Sequence, residues 1–87
     1  MSFAEESINK ANQCREELVG KRFKHFKGNV YEVIEVGLSS SSCSVQVIYR
    51  QVDKPDRIWI RPYVEFMSKL NKNKYPNAEQ EHRFEPL

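Results

Sequence analysis

The spacing of apolar residues changes once, decisively, along this chain. In the first twenty residues Ala4, Ile8, Ala11, Arg15 and Leu18 recur every three or four positions, which gathers them on one face of a helix. Ser2 with Glu5 three residues later forms a capping box, and Gly20 supplies a left-handed exit, so a helix is predicted from Phe3 to Val19. Its stripe is thin, with Phe3, Ile8, Leu18 and Val19 as the only large apolar members. Such a helix needs a neighbour to persist.

From Phe23 the period falls to two and β-branched and aromatic residues dominate, the composition of a sheet. Phe23 and His25 share one side of a short strand, Lys24 and Phe26 the other. Lys27-Gly28-Asn29 reads as a tight turn. The longest strand is predicted over Val30 to Leu38, with Val30, Ile34, Val36 and Leu38 on one side and Tyr31, Val33 and Glu35 on the other. Neither side is polar, which implies a bulge, strong twist or cover on both faces. Ser39 to Ser42 form an exposed, mobile hairpin loop without a G-x-S-x-G context for a nucleophile. Val45, Val47 and Tyr49 then face inward on the returning strand, alternating with Gln46, Ile48 and Arg50.

Asp53 to Asp56 form a polar turn in which Pro55 is expected to stop pairing. A fourth strand, Ile58 to Arg61, should place Ile58 and Ile60 inward and Trp59 with Arg61 together on the opposite side. Pro62 opens a helix running to about Leu70, and His82 to Leu87 return as an edge strand anchored by Phe84 and Leu87, a placement Pro86 tolerates. The expected fold is mainly β with flanking helices (α+β): a small, partly open barrel of four to five antiparallel strands. A helical arm, residues 1–20, precedes a barrel-like domain, residues 21–87, that carries the helix at 62–70 and the tail.

Composition narrows the classes without choosing one. With 87 residues the chain holds a single domain, and 14 Lys and Arg against 12 Asp and Glu give a net charge of +2, too balanced for a dedicated polyanion binder. Cys14 and Cys43 read as free thiols. No H-E-x-x-H or C-x-x-C spacing exists, so no metal site and no cofactor is expected. The opening residues lack the basic-then-apolar order of a secretory signal, and no apolar run approaches the roughly 20 residues that span a bilayer. The expectation is a cytoplasmic protein without membrane attachment.

Four segments in order carry a resemblance: Phe23-Lys24-His25-Phe26-Lys27-Gly28, Tyr31-Glu32-Val33, Val47-Ile48-Tyr49-Arg50, and Trp59-Ile60-Arg61-Pro62 with Phe66. Across about residues 20 to 70 the chain resembles the DUF1653 family, whose pattern runs Y-x-H-F-K-G-x-x-Y-x-V, V-V-Y and W-V-R-P-x-x-M-F. The resemblance implies a small, largely β domain of SH3-like character and no particular activity. This chain departs from the pattern at the hairpin, where the serine run and Cys43 replace a Ser-Glu-Thr. It departs again at Val52-Asp53 in place of Tyr-Gly, and at Glu65 in place of methionine.

His25, Lys27, Tyr49, Arg50, Trp59 and Arg61 are the candidate binding residues. Trp59 offers an apolar plate with an indole donor and Arg61 a planar fork of donors, together suited to pinning an anionic or aromatic group. Against this stand ordinary packing of Trp59 under a helix, pairing of Arg61 with Glu65 or Glu32, and a structural hydrogen bond for His25. Lys21, Arg22, Lys24, Lys27, Arg50, Arg57 and Arg61 supply positive charge, diluted by Glu32, Glu35, Asp53 and Asp56. The leading expectation is a non-enzymatic recognition module for a protein segment or single-stranded nucleic acid. The alternative is a small-molecule or catalytic pocket between His25 and Arg61.

Overall fold

The computed structural model describes residues 3–87, so the capping box at Ser2 lies outside the described residues. The elements in order are helix α1 (Phe3–Leu18), strands β1 (Arg22–His25), β2 (Val30–Leu38), β3 (Val45–Gln51) and β4 (Lys54–Pro62), the short helix α2 (Tyr63–Phe66) and β5 (Phe84–Pro86). The strands form one antiparallel sheet in the order β4-β3-β2-β1-β5, which does not close into a barrel. Gly20 and Gly28 both take positive φ, at +83° and +110°, where they end α1 and turn β1 into β2.

Register settles which face is which. Residues directly opposite each other on antiparallel strands share a face, so Phe23, Tyr31, Val33, Val36, Val47, Tyr49 and Phe84 all lie on one side. Both helices cover that side: Ala11, Cys14 and Leu18 from α1 and Phe66 from α2 join the same buried cluster. Inside it Phe66 and Phe84 stack with ring centres 4.2 Å apart, while Phe23, Tyr49 and Tyr31 meet one or other of them edge-on. Gln51 is buried beside the cluster and donates through Nε2 to Asp53 at 2.9 Å.

The predicted irregularity of β2 is a bulge between Val33 and Glu35. The extra residue re-phases the strand, so Val33 and Val36 face the helices together, whereas strict alternation had put Val36 with Val30 and Ile34. Where β1 ends, α1 takes over the open edge of β2. The Gly20 amide donates to the Val33 carbonyl (2.9 Å) and the Arg15 guanidinium to the Val36 carbonyl (2.6 Å). Arg15 also pairs with Glu35 at 2.6 Å. The Val36 amide and Arg15 together hold the Glu35 carboxyl below the usual range.

Three expectations are corrected. β4 begins at Lys54, earlier than the expected Ile58, although Pro55, Asp56 and Arg57 have no partner on β3 where the register shifts between Arg50 and Gln51, so pairing does lapse at the proline. The helix after Pro62 stops at Phe66, short of Leu70, because the chain beyond it is drawn out against the tail: Leu70 donates to the Glu81 carbonyl, Arg83 donates to that of Ser68, and Lys69 bridges His82. Leu87 is exposed, so Phe84 alone anchors β5. Replacing Phe66 by Ala should cost about 3–5 kcal/mol, since its ring is fully buried and stacked. Chemical denaturation should show the loss; a change below about 1 kcal/mol would contradict the packing described.

Candidate recognition face

Trp59 and Arg61 project from β4 toward the helix-covered side, opposite Tyr49 and Val47 of β3. Ile58 and Ile60 therefore lie on the outer side and are 58% and 67% exposed, contrary to the expectation that they face inward. Neither α1 nor α2 reaches far enough to seal the other side of β4, so Trp59 is itself 49% exposed. Three consecutive large apolar residues thus stand open on the outermost strand.

Arg61 is held in place. Its Nε donates to the Tyr49 hydroxyl at 3.2 Å, and its guanidinium lies 3.6 Å from Glu65, one helical turn on. The Glu65 side chain is largely solvated, so that pair is weak and exchangeable. Tyr49 touches Tyr31 edge-on with ring centres 5.3 Å apart, and Tyr31 lies 6.2 Å from the His25 ring, which rests against Phe84 at 4.9 Å. Trp59, Arg61, Tyr49, Tyr31 and His25 therefore form a continuous series across one face.

His25 accepts the Lys27 amide hydrogen at Nδ1 (3.1 Å), which leaves Nε2 to carry the proton of the neutral ring. Burial, with the positive charges of Arg83, Arg61 and Lys27, pushes its pKa down to about 4. Arg61 is thus near enough for its charge to be felt at His25.

Arg50 and Lys27 stand apart. Arg50 is opposite Ile58 on the outer side and donates to Glu32 at 2.9 Å, sharing that carboxylate with Arg22 at 3.8 Å. Lys27 sits in the turn after β1 with its ammonium 5.8 Å from the Phe26 ring centre. Sequence reasoning missed Tyr31, Arg83 and the open isoleucines. Tyr31 was readable as an alternate-face aromatic, but nothing local distinguishes an uncovered isoleucine from a buried one.

An open five-stranded antiparallel sheet with helices on one face and an aromatic and arginine series running to a bare outer strand defines a small β-rich domain. Residues 21–86 match the family described as Protein of unknown function (DUF1653), and the chain belongs to that family. No curated protein and no solved structure matches it. Among the described residues no helix is long and apolar enough to cross a membrane.

The neutral state of His25 has a stability consequence. The unfolded ring binds a proton near pH 6.5 and the folded ring only near 4, so the contribution is complete above pH 6.5 and is lost as pH falls toward 4. Unscreened, the shift would correspond to roughly 3 kcal/mol, and solvent screening of this partly exposed ring reduces the expectation to about 1–2 kcal/mol. His25→Asn retains an acceptor for the Lys27 amide without the titration. Denaturation at pH 7 and pH 4.5 should show the parent losing about 1–2 kcal/mol more than this variant; equal losses would count against the assignment.

Proposed function

We propose that this chain is a small, SH3-like, non-enzymatic recognition module of the cytoplasm that takes up an extended segment of a protein partner along the free edge of β4. The observation that carries this reading is the contrast between the sheet's edges. The open part of β2 is covered by α1, and β5 is three residues long and includes Pro86. β4 is nine residues long and exposes Ile58, Trp59 and Ile60 at its centre. Exposed edges are ordinarily shortened, charged or covered; β4 keeps its charges, Lys54, Asp56, Arg57 and Arg61, to the flanks and leaves an apolar centre of the kind that strand addition uses.

An added strand would satisfy the backbone groups along β4 and set alternate side chains against Trp59 on one side and Ile58 and Ile60 on the other. Arg57 and Arg61 favour a partner with an acidic residue among its apolar ones, for which Arg61 can exchange its solvated pairing with Glu65. Cys14 and Cys43 are both free thiols, which supports a reducing compartment.

Selection from a displayed peptide library should enrich extended sequences that alternate β-branched or aromatic residues with Asp or Glu. Trp59→Ala should weaken such a peptide by at least about tenfold, as expected of an aromatic anchor, and Ile60→Lys and Arg61→Glu should each reduce binding with the fold intact. Peptides that bind all three variants as well as the parent, or that shift the amides of α1 instead of β3 and β4, would refute the reading.

A further inference from the structure

The tail builds a second feature that has no role in β4 recognition. After α2 the chain loops back and brings Tyr75 against Phe26, with ring centres 4.7 Å apart and planes inclined by 57°. Both rings are held by main-chain bonds: the Phe26 amide donates to the Arg83 carbonyl (3.0 Å), and the Tyr75 amide to that of Asn71 (2.9 Å). Lys72 ties the loop across itself by donating to the carbonyls of Ala78 and Gln80 at 2.9 and 2.8 Å. A cavity of about 400 Å³ opens beside the rings, lined by Phe26, Lys27, Tyr75, Pro76, Asn77 and Ala78. That volume falls in the range of about 300–1,000 Å³ typical of small-molecule sites.

Three cations surround the two rings. Lys27 and Arg83 lie 5.8 and 5.9 Å from the centre of Phe26, and Lys74 lies 5.4 Å from that of Tyr75. None of the three forms an ion pair among the described residues. The Nε of Arg83 is buried, away from the cavity lining, with no hydrogen-bond partner among them. Glu79 is the one carboxylate lining the adjoining cleft, beside Lys24 and Lys27. Phe26 is itself packed between His25 and Tyr75, with ring centres 4.5 and 4.7 Å away, so an added ring meets chiefly Tyr75 and the rim of Phe26; that aromatic surface with surplus positive charge around it matches a planar ring that carries a phosphate.

We propose that the cavity beside Phe26 and Tyr75 binds a nucleotide unit, with its base against the rings and its phosphate at Lys27, the cation that lines the cavity, within the positive field of Lys74 and Arg83 behind the rings. The Asn77 side chain offers both donor and acceptor at the cavity wall for a base edge. A free mononucleotide and one residue of a single strand present the same chemistry here.

Titration of the isotope-labelled full chain with adenosine monophosphate, adenosine, inorganic phosphate and a single-stranded octanucleotide tests this. The mononucleotide should move the amides of Phe26, Lys27, Tyr75 and Asn77, and adenosine should bind about tenfold more weakly for want of the charge. Tyr75→Ala and Lys27→Gln, both on exposed or partly exposed loop positions, should each weaken binding by about fivefold or more, and Arg83→Gln should do likewise. Trp59→Ala should leave it unchanged, which separates this site from the β4 edge. An octanucleotide that binds more than about tenfold tighter, with steep salt dependence, would identify a single strand as the source; equal affinity would identify a free nucleotide. Absence of shifts with either at millimolar concentration, shifts that inorganic phosphate alone reproduces at equal affinity, or indifference to Tyr75→Ala and Lys27→Gln would overturn the proposal.

Discussion

The stacked pair of Phe66 and Phe84 is the contact on which the rest of the domain depends. One ring comes from a four-residue helix and the other from a three-residue strand near the end of the chain, neither of which is stable alone. Burying them together against Phe23 and Tyr49 makes two marginal elements part of one core. Because β5 pairs with β1, the same contact fixes the tail across the sheet and positions the loop that carries Tyr75. In a domain of this size such a cluster represents much of the total stability, about 4–13 kcal/mol from the usual per-residue range.

The sheet treats its boundaries unequally, and that inequality organises its surface. Helix α1 is weakly amphipathic, yet it does more than cover apolar area: its exit glycine and Arg15 satisfy carbonyls that β1 is too short to reach. β5 ends in a proline and a few residues. β4 is neither covered nor short. Its prolines, Pro55 and Pro62, bracket the ends and leave Ile58, Trp59 and Ile60 between them, where an extended chain can pair.

The two proposed sites differ in physical character and lie on different parts of the fold. At β4 the proposed recognition would be apolar and directional, with backbone pairing along an edge and Arg61 set by Tyr49 and Glu65. At the tail loop it would be electrostatic and planar, with cations outside any ion pair among the described residues around two rings. His25 lies between them, kept neutral by burial and by the charges of Arg83, Arg61 and Lys27. A positive charge there would oppose all three, so the imidazole serves as a neutral packing group with a donor at Nε2.

Much of the fold was legible in the residues themselves. Three- and four-residue spacing marked α1, alternation marked β2 and β3, and Gly20 and Gly28 marked the turns at which positive φ is required. Even the irregularity of β2 was foreshadowed by its having no polar side. The motif that joins Trp59, Arg61 and Phe66 likewise pointed to the family that the chain belongs to.

Tertiary structure alone decided the orientation of β4 and the make-up of both sites. Alternation separates Ile58 and Ile60 from Trp59 and Arg61, but it is symmetrical: it says that two faces exist, not which one a helix will cover. That choice follows from where α1 and α2 come to rest, and it reversed the expected assignment while leaving Trp59 half open. The meeting of Phe26 with Tyr75 and Arg83 was equally invisible, because contacts across some fifty residues of sequence carry no local period and appear only once Phe66 and Phe84 have stacked.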